Sequence, residues 1–212
     1  LHEYEHNGKP LKSSSVNSHV RCVKAFYNFC IQEDLIPDFS RKLKTTKVHN
    51  TEKLPLDDEE INLLLQSFGD TVLERRNFCW VVLMCDSGLR RGEILSLIMK
   101  NVDLNHDFLL VTGKGCKQRF VPLGQLSHIA LYDYIIRYRS GAGGSDPVFV
   151  DRFGKPCNDN TIKQVFQKIK KRTGIDRLHP HLLRHTFATN YLCDGGDLET
   201  LRLILGHSDL QV

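Results

Sequence analysis

Eight consecutive apolar side chains, "FCWVVLMC" at residues 78–85, constrain this chain more than any other stretch. A membrane-spanning helix requires roughly 20 such residues, so the run reads as a buried core helix. A helix apolar on every side is stable only when other elements cover it. With 212 residues the chain is long enough to bury a core of that kind. Candidates for the cover lie before and after it in sequence. "LDDEEINLLL" places Asp57 as a cap with Glu60 three residues on, a capping-box pattern ahead of Ile61, Leu63, Leu64 and Leu65. After a turn at "DSGL", a helix begins around Arg90 with Ile94, Leu95 and Leu97 on its apolar side. Further helices are predicted over about 125–139, 159–173, 180–194 and 197–205. "DFLLVTGKGCKQRFVPL" carries two short strand-like runs around a Gly-Lys-Gly turn, a hairpin with Lys114 at its tip. The fold class is therefore mainly α with a small antiparallel β-sheet, an α+β domain.

The N-terminal quarter reads differently. "SSSVNSHVRCVKAFYNFCIQEDLI" spaces Val16, Val20, Val23, Phe26, Tyr27 and Cys30 as one long amphipathic helix behind capping serines, and Pro37 ends the pattern. The stretch that follows is charged and aperiodic, and residues 41–53 hold five Lys or Arg against one Glu, which suits an extended linker. The division is a helical segment over 1–40, a basic linker over 41–53 and a second domain over 54–212. Seven cysteines, an odd number with no CxxC pair, argue for reduced, mostly buried thiols in a cytoplasmic protein and against a disulfide framework. "LHEYEHNGKP" has neither the basic start nor the apolar block of a secretion signal, and the chain reads as an intracellular fragment. The net charge is only +4, yet the basic residues cluster at 41–53 and in "KQVFQKIKKRTGIDR". Such clusters suit a polyanion partner, although a solvated helix face explains any one of them.

Four basic stretches carry the candidate chemistry: "SGLRRGEIL" with Arg90, "TGKGCKQR" with Lys114, "HPHLLRH" with His181 and Arg184, and "LGHSDL" with His207. Taken singly, each has a structural explanation. Arg90 can pair with Glu93, the Gly-Lys-Gly turn can be a plain hairpin tip, and His207 can sit at a helix C-terminus, where the dipole favours it. In the third stretch His181, Arg184 and His185 lie three and four apart, so they share one helix face. A zinc helix of the H-E-x-x-H type places Glu between its ligands, whereas here Leu182, Leu183 and Arg184 intervene, and an arginine would repel the cation.

Together, and in this order, the four stretches resemble the catalytic domain of the tyrosine recombinases, the phage-integrase family that also includes the Xer chromosome-dimer resolvases. The family pattern T-G-L-R-x-x-E-L, G-K-G-x-K-x-R, H-x-L-R-H-x-F-A-T and L-G-H-x-x is matched by "SGLRRGEI", "GKGCKQR", "HLLRHTFAT" and "LGHSD". Lys114 follows Arg90 by 24 residues and His207 follows Arg184 by 23, both typical of the family. The match spans roughly residues 54–212, and the segment before it is similar to the end of the family's helical core-binding domain.

The resemblance implies a phosphate clamp. Arg90 and Arg184 would hold the scissile phosphate, since a planar, permanently charged fork matches two phosphate oxygens. Lys114 would protonate the departing 5′ oxygen, His181 would orient or accept a proton, and His207 would hydrogen-bond a non-bridging oxygen. Glu93 would buttress the Arg90 helix and His185 would pack or hydrogen-bond behind the clamp. The family's nucleophilic tyrosine lies about nine residues after the L-G-H histidine, and the sequence ends before that position. Tyr191 matches no nucleophile position and reads as a packed helix residue, so the 212-residue chain is expected to bind DNA without cleaving it. The reaction implied requires neither ATP nor a divalent metal, and the expected cofactor set is empty. The expected partners are double-stranded DNA attachment sites and other protomers, assembled as a tetramer on DNA, with a monomer expected in solution. "DRFGKPCNDNTI" and the arginine-rich helix start look most like integrases of bacterial mobile elements or phage. Two competing readings are a non-catalytic DNA-binding regulator that keeps the clamp for phosphate contacts, and a helical protein-interaction module, which would show no salt-dependent DNA affinity.

Overall fold

The apolar run at 78–85 is the middle of a helix around which the second of two compact units is built. The computed structural model describes residues 5–6, 9–11, 13–37, 44–45 and 54–206, and the chain divides into units at Leu1–Glu52 and Lys53–Val212. In the first unit, β1 (Glu5–His6) and β2 (Lys9–Pro10) pair antiparallel, and α1 spans Ser13–Gln32. Pro37 is not what ends α1. Asp34 takes a left-handed φ of 54°, its N–H reaches Ile31 O, and the Leu35 N–H reaches Cys30 O. That pair of bonds closes a helix five residues before the proline.

In the second unit, α2 (Asp58–Gln66) starts on the expected capping box, with the Glu60 N–H donating to Asp57 Oδ1 at 2.8 Å and the Asp57 N–H to Glu60 Oε2 at 3.2 Å. Helix α3 (Val72–Asp86) begins at the Thr71 cap, and Trp80, Val81, Val82, Leu83 and Met84 are all fully buried within it. Its first turn escapes the periodicity because Val72 and Leu73 face solvent. Helix α4 (Arg91–Leu95) is only five residues long. A 3-10 turn at Met99–Asn101 leads into a three-stranded antiparallel sheet of β3 (Val102–Asp103), β4 (Phe108–Thr112) and β5 (Gln118–Pro122). The hairpin is the expected one, with Leu109 opposite Val121 and Val111 opposite Arg119. Strand β3 adds a third member that two residues of sequence pattern do not signal.

Helices α5 (Gln125–Tyr138), α6 (Asp159–Thr173), α7 (Pro180–Cys193) and α8 (Leu198–Leu205) complete the chain. Helices α5 and α7 both pack on α3, and the Cys79 thiol donates to Ala130 O across the α3–α5 contact. The architecture is mostly helical with one small antiparallel sheet, as the sequence predicts. Among the described residues no helix is long and apolar enough to cross a membrane. All seven cysteines are free, but Cys22, Cys116 and Cys193 are exposed and only Cys30, Cys79 and Cys157 are buried. The expectation of mostly buried thiols fails because position 116 lies in a turn and position 193 ends a helix.

Candidate functional site

Three arginines from three separate elements converge on the end of α8. Arg184, in the second turn of α7, is 7% exposed. Its Nη1 donates to Gly88 O at 2.5 Å and its Nη2 to Leu205 O at 2.6 Å. Arg90 stands at the N-cap of α4 and donates through Nη2 to Gly206 O at 3.1 Å. Arg119, on β5, donates through Nε to Ile204 O at 2.7 Å. The carbonyls of 204, 205 and 206 are those a helix leaves without internal partners, at the negative end of its dipole. Three cations therefore satisfy three successive acceptors, and His207 is the next residue in the chain.

One carboxylate sits among these cations. Glu93 is 3% exposed and accepts from the Arg90 backbone N–H at 2.8 Å, Arg90 Nη1 at 2.9 Å, Arg119 Nη1 at 2.6 Å and Arg119 Nη2 at 3.0 Å. Burial opposes its ionisation most strongly. The bonds from Arg119 and the Arg90 backbone, with the charge of Arg119, outweigh that and hold the carboxyl below its usual range. Burial, and next the charge of Arg90, lower Arg184 to about 10, which leaves it a cation at neutral pH. Among the described residues, three guanidinium groups face one carboxylate, a surplus of positive charge in a partly desolvated setting, where an anion is held more strongly than in water.

Local sequence explains the convergence. Gly88 turns the chain out of α3 with φ +64°, and a Cβ there would lie 2.5 Å from Phe187 Cδ1. Gly88→Ala is therefore expected to cost about 2–4 kcal/mol of stability through left-handed strain and overpacking. A urea midpoint indistinguishable from wild type would contradict that. His179 caps α7, its Nδ1 accepting from the Leu182 N–H at 3.0 Å with Pro180 at the first helical position. One histidine of the "HPHLLRH" cluster thus has a structural task.

The other predicted residues are placed as follows. His181 is exposed in the first turn of α7, one turn before Arg184, and His185 is exposed on the same helix. Lys114 lies in the turn Lys114–Cys116 between β4 and β5. The neck of that turn is close to the cluster, since a Cβ on Gly113 would be 3.7 Å from Arg119 Nη1 and 3.8 Å from Glu93 Oε1. His207 lies outside the described residues. Tyr191 is half-buried beside Phe187, with ring centroids 6.1 Å apart, and belongs to the packing around the core. Among the described residues no group of three His, Cys, Asp or Glu could hold a metal ion. The residue that sequence reasoning misses is Arg119. Its signal was present, because it closes the "GKGCKQR" stretch five residues after Lys114, but its partners lie 26 and 85 residues away.

A family model described as the phage integrase family matches residues 55–212. The chain belongs to that family, the tyrosine recombinases. Among its relatives is the tyrosine recombinase XerC of Bacillus pumilus (strain SAFR-032), 35% identical over 212 residues that cover 95% of this chain and 69% of the relative. The crystal structure of XerA recombinase superposes with a TM-score of 0.67 at 26% identity, over 94% of this chain and 69% of that one. The Tn1549 transposon integrase, solved in complex with circular intermediate DNA, shares the fold with a TM-score of 0.78 at 21% identity, over 94% and 73%. In this tyrosine recombinase the family's H-x-L-R-H and G-L-R stretches supply the two arginines whose guanidinium groups meet at the end of α8.

Proposed function

We propose that the chain is a site-specific DNA recombinase that cuts and rejoins duplex DNA through a 3′-phosphotyrosyl intermediate. The observation that carries the reading is the convergence of Arg90 and Arg184 beside the carboxylate of Glu93, a cationic cluster with donors left over. Each guanidinium offers five N–H groups, and among the described residues the Nε of Arg90 and of Arg184 has no hydrogen-bond partner. These two arginines hold the non-bridging oxygens of the scissile phosphate and stabilise the charge that develops on them. A tyrosine hydroxyl attacks phosphorus, the Tyr O–P bond forms as the P–O5′ bond breaks, and Lys114 delivers a proton to the departing 5′ oxygen. His181 orients the phosphate or accepts the tyrosine proton, and His207 hydrogen-bonds a non-bridging oxygen. Glu93 supports Arg90, and His185 hydrogen-bonds behind the clamp. The phosphotyrosyl link conserves the energy of the phosphodiester, so the step requires no ATP.

The reading extends to the source, a bacterial mobile element or phage, on the character of "DRFGKPCNDNTI", and to assembly as a tetramer of protomers on two duplexes. A polypeptide of residues 1–212 holds the clamp without a tyrosine at the nucleophile spacing, and is expected to bind duplex DNA without cutting it. Its affinity is expected to fall roughly a hundredfold or more between about 50 and 200 mM salt. The decisive test uses the native reading frame through to its stop codon and a duplex selected from a randomised pool, nicked so that a cleaved strand cannot religate. A covalent protein–DNA adduct on a denaturing gel, absent for residues 1–212, supports the proposal. Tight, salt-sensitive binding with no adduct from the full reading frame would favour the non-catalytic regulator, and salt-insensitive or absent binding would favour a protein-interaction module.

A further inference from the structure

We infer that Arg119 is a positioning residue for strand transfer, fastening Glu93 and the end of α8 into one unit so that Arg90 and the peptide entering residue 207 keep a fixed relation; this rests on the recombinase reading above. All three nitrogens of its guanidinium are engaged inside the protein. Nη1 and Nη2 form a fork on the two Glu93 oxygens at 2.6 and 3.0 Å, and Nε reaches Ile204 O at 2.7 Å. A bidentate fork fixes the plane of the group, so the Nε–H has one direction available, and the α8 carbonyl lies along it. Glu93 passes the constraint to Arg90 through both the backbone N–H and the side chain. The side chain of Arg119 is 14% exposed, which makes it a brace rather than a group presented to a ligand.

The end of α8 is shaped for this side chain. Gly206 takes φ +62°, and a Cβ there would stand 3.0 Å from the Cδ, Nε and Nη1 of Arg119. Arg119 also belongs to β5, the strand that follows the turn bearing Lys114. The brace therefore links three of the four motif stretches: the hairpin directly, the Arg90 stretch through Glu93, and the L-G-H stretch through Ile204. Its loss would loosen the geometry of reacting groups without removing a phosphate contact, and small misplacements of such groups cost about a hundredfold in rate.

The test compares wild type, Arg119→Ala and Arg119→Lys in the native reading frame on the selected, nicked duplex, measuring Kd and the single-turnover rate of adduct formation against pH. Arg119→Ala is expected to slow the adduct about 100-fold while Kd stays within about threefold. Among the described residues, the charged groups facing Glu93 are Arg90 from the start of α4, Arg119 from β5 and Arg184 from α7. Removing one of them raises the pH at which the carboxyl takes a proton and lets go of Arg90, so the acid limb of the rate profile moves to higher pH. Arg119→Lys keeps the charge but not the fork. It is expected to return the limb toward wild type while recovering no more than about a tenth of the rate. A wild-type rate in both variants overturns the inference, as does an Arg119→Ala variant whose affinity falls in step with its rate, or an Arg119→Lys variant that is fully active while Arg119→Ala fails to fold. A wild-type protein that forms no adduct overturns the recombinase reading itself and this role with it; an active wild type with unaffected variants overturns this role alone.

Discussion

Arg184→Ala is expected to lower covalent adduct formation by about a thousandfold or more, and Arg184→Lys to recover less than about tenfold of that loss. Arg184 is 7% exposed, and its guanidinium is anchored by Gly88 O and Leu205 O at 2.5 and 2.6 Å. Two of its N–H groups thus aim the remainder, and the charge acts where little water screens it. An ammonium is a point charge on a flexible stem, and it cannot hold both carbonyls while presenting a planar edge to a phosphate. Stability should respond less than rate. The substitution leaves two carbonyls without a donor, which is unfavourable, but it also removes a desolvated cation placed near Arg90 and Arg119, which is favourable. Single-turnover rates beside thermal melting separate the two effects. An Arg184→Ala protein within tenfold of wild type, or a lysine variant that restores the rate, would remove Arg184 from the clamp.

The parts of this molecule that were legible in sequence are those decided within one turn of helix or one hairpin. Asp57 and Glu60 announce α2, and the Gly-Lys-Gly turn marks the β4–β5 hairpin, because caps and tight turns are made by neighbours in the chain. What escaped was decided over longer distances. The first turn of α3 carries Val72 and Leu73 on its exposed side, so only the Thr71 cap could have announced it. Strand β3 exists because Val102 and Asp103 meet Leu109 and Phe108 across a turn. Within the site, Arg90, Arg184 and Glu93 were legible through the motif spacing, whereas the role of Arg119 depends on Ile204, 85 residues further on. No periodicity encodes that contact. The same holds for the most informative feature of the site, the three successive carbonyls at the end of α8 and its Gly206 cap, and the three arginines that hold them.

Glu93→Ala is expected to cost about 3–5 kcal/mol of stability near neutral pH, chiefly because it leaves the largely buried charge of Arg119 without its counter-ion. Glu93 is 3% exposed and receives four hydrogen bonds from Arg90 and Arg119. Glu93→Gln keeps the shape but not the charge, and should fall between alanine and wild type. The pH dependence follows from the direction of the carboxyl's shift. Burial, the largest influence, raises its pKa, but the Arg119 bonds, the Arg90 backbone and the Arg119 charge together hold it below its ordinary 4.5 in the folded protein. A group depressed on folding contributes stability above its unfolded pKa, and that contribution is lost as pH falls through the folded value. The gap between wild type and Glu93→Gln should therefore be widest at neutral pH and narrow below about pH 4.5. Urea midpoints at neutral pH and near pH 4 measure it. A gap that does not change with pH would mean that the glutamate is retained for its shape, and the three arginines would then need another source of compensation for lying so close together. A gap that closes in acid makes the negative charge of Glu93 an element that allows a cluster of three cations to be assembled before any phosphate arrives.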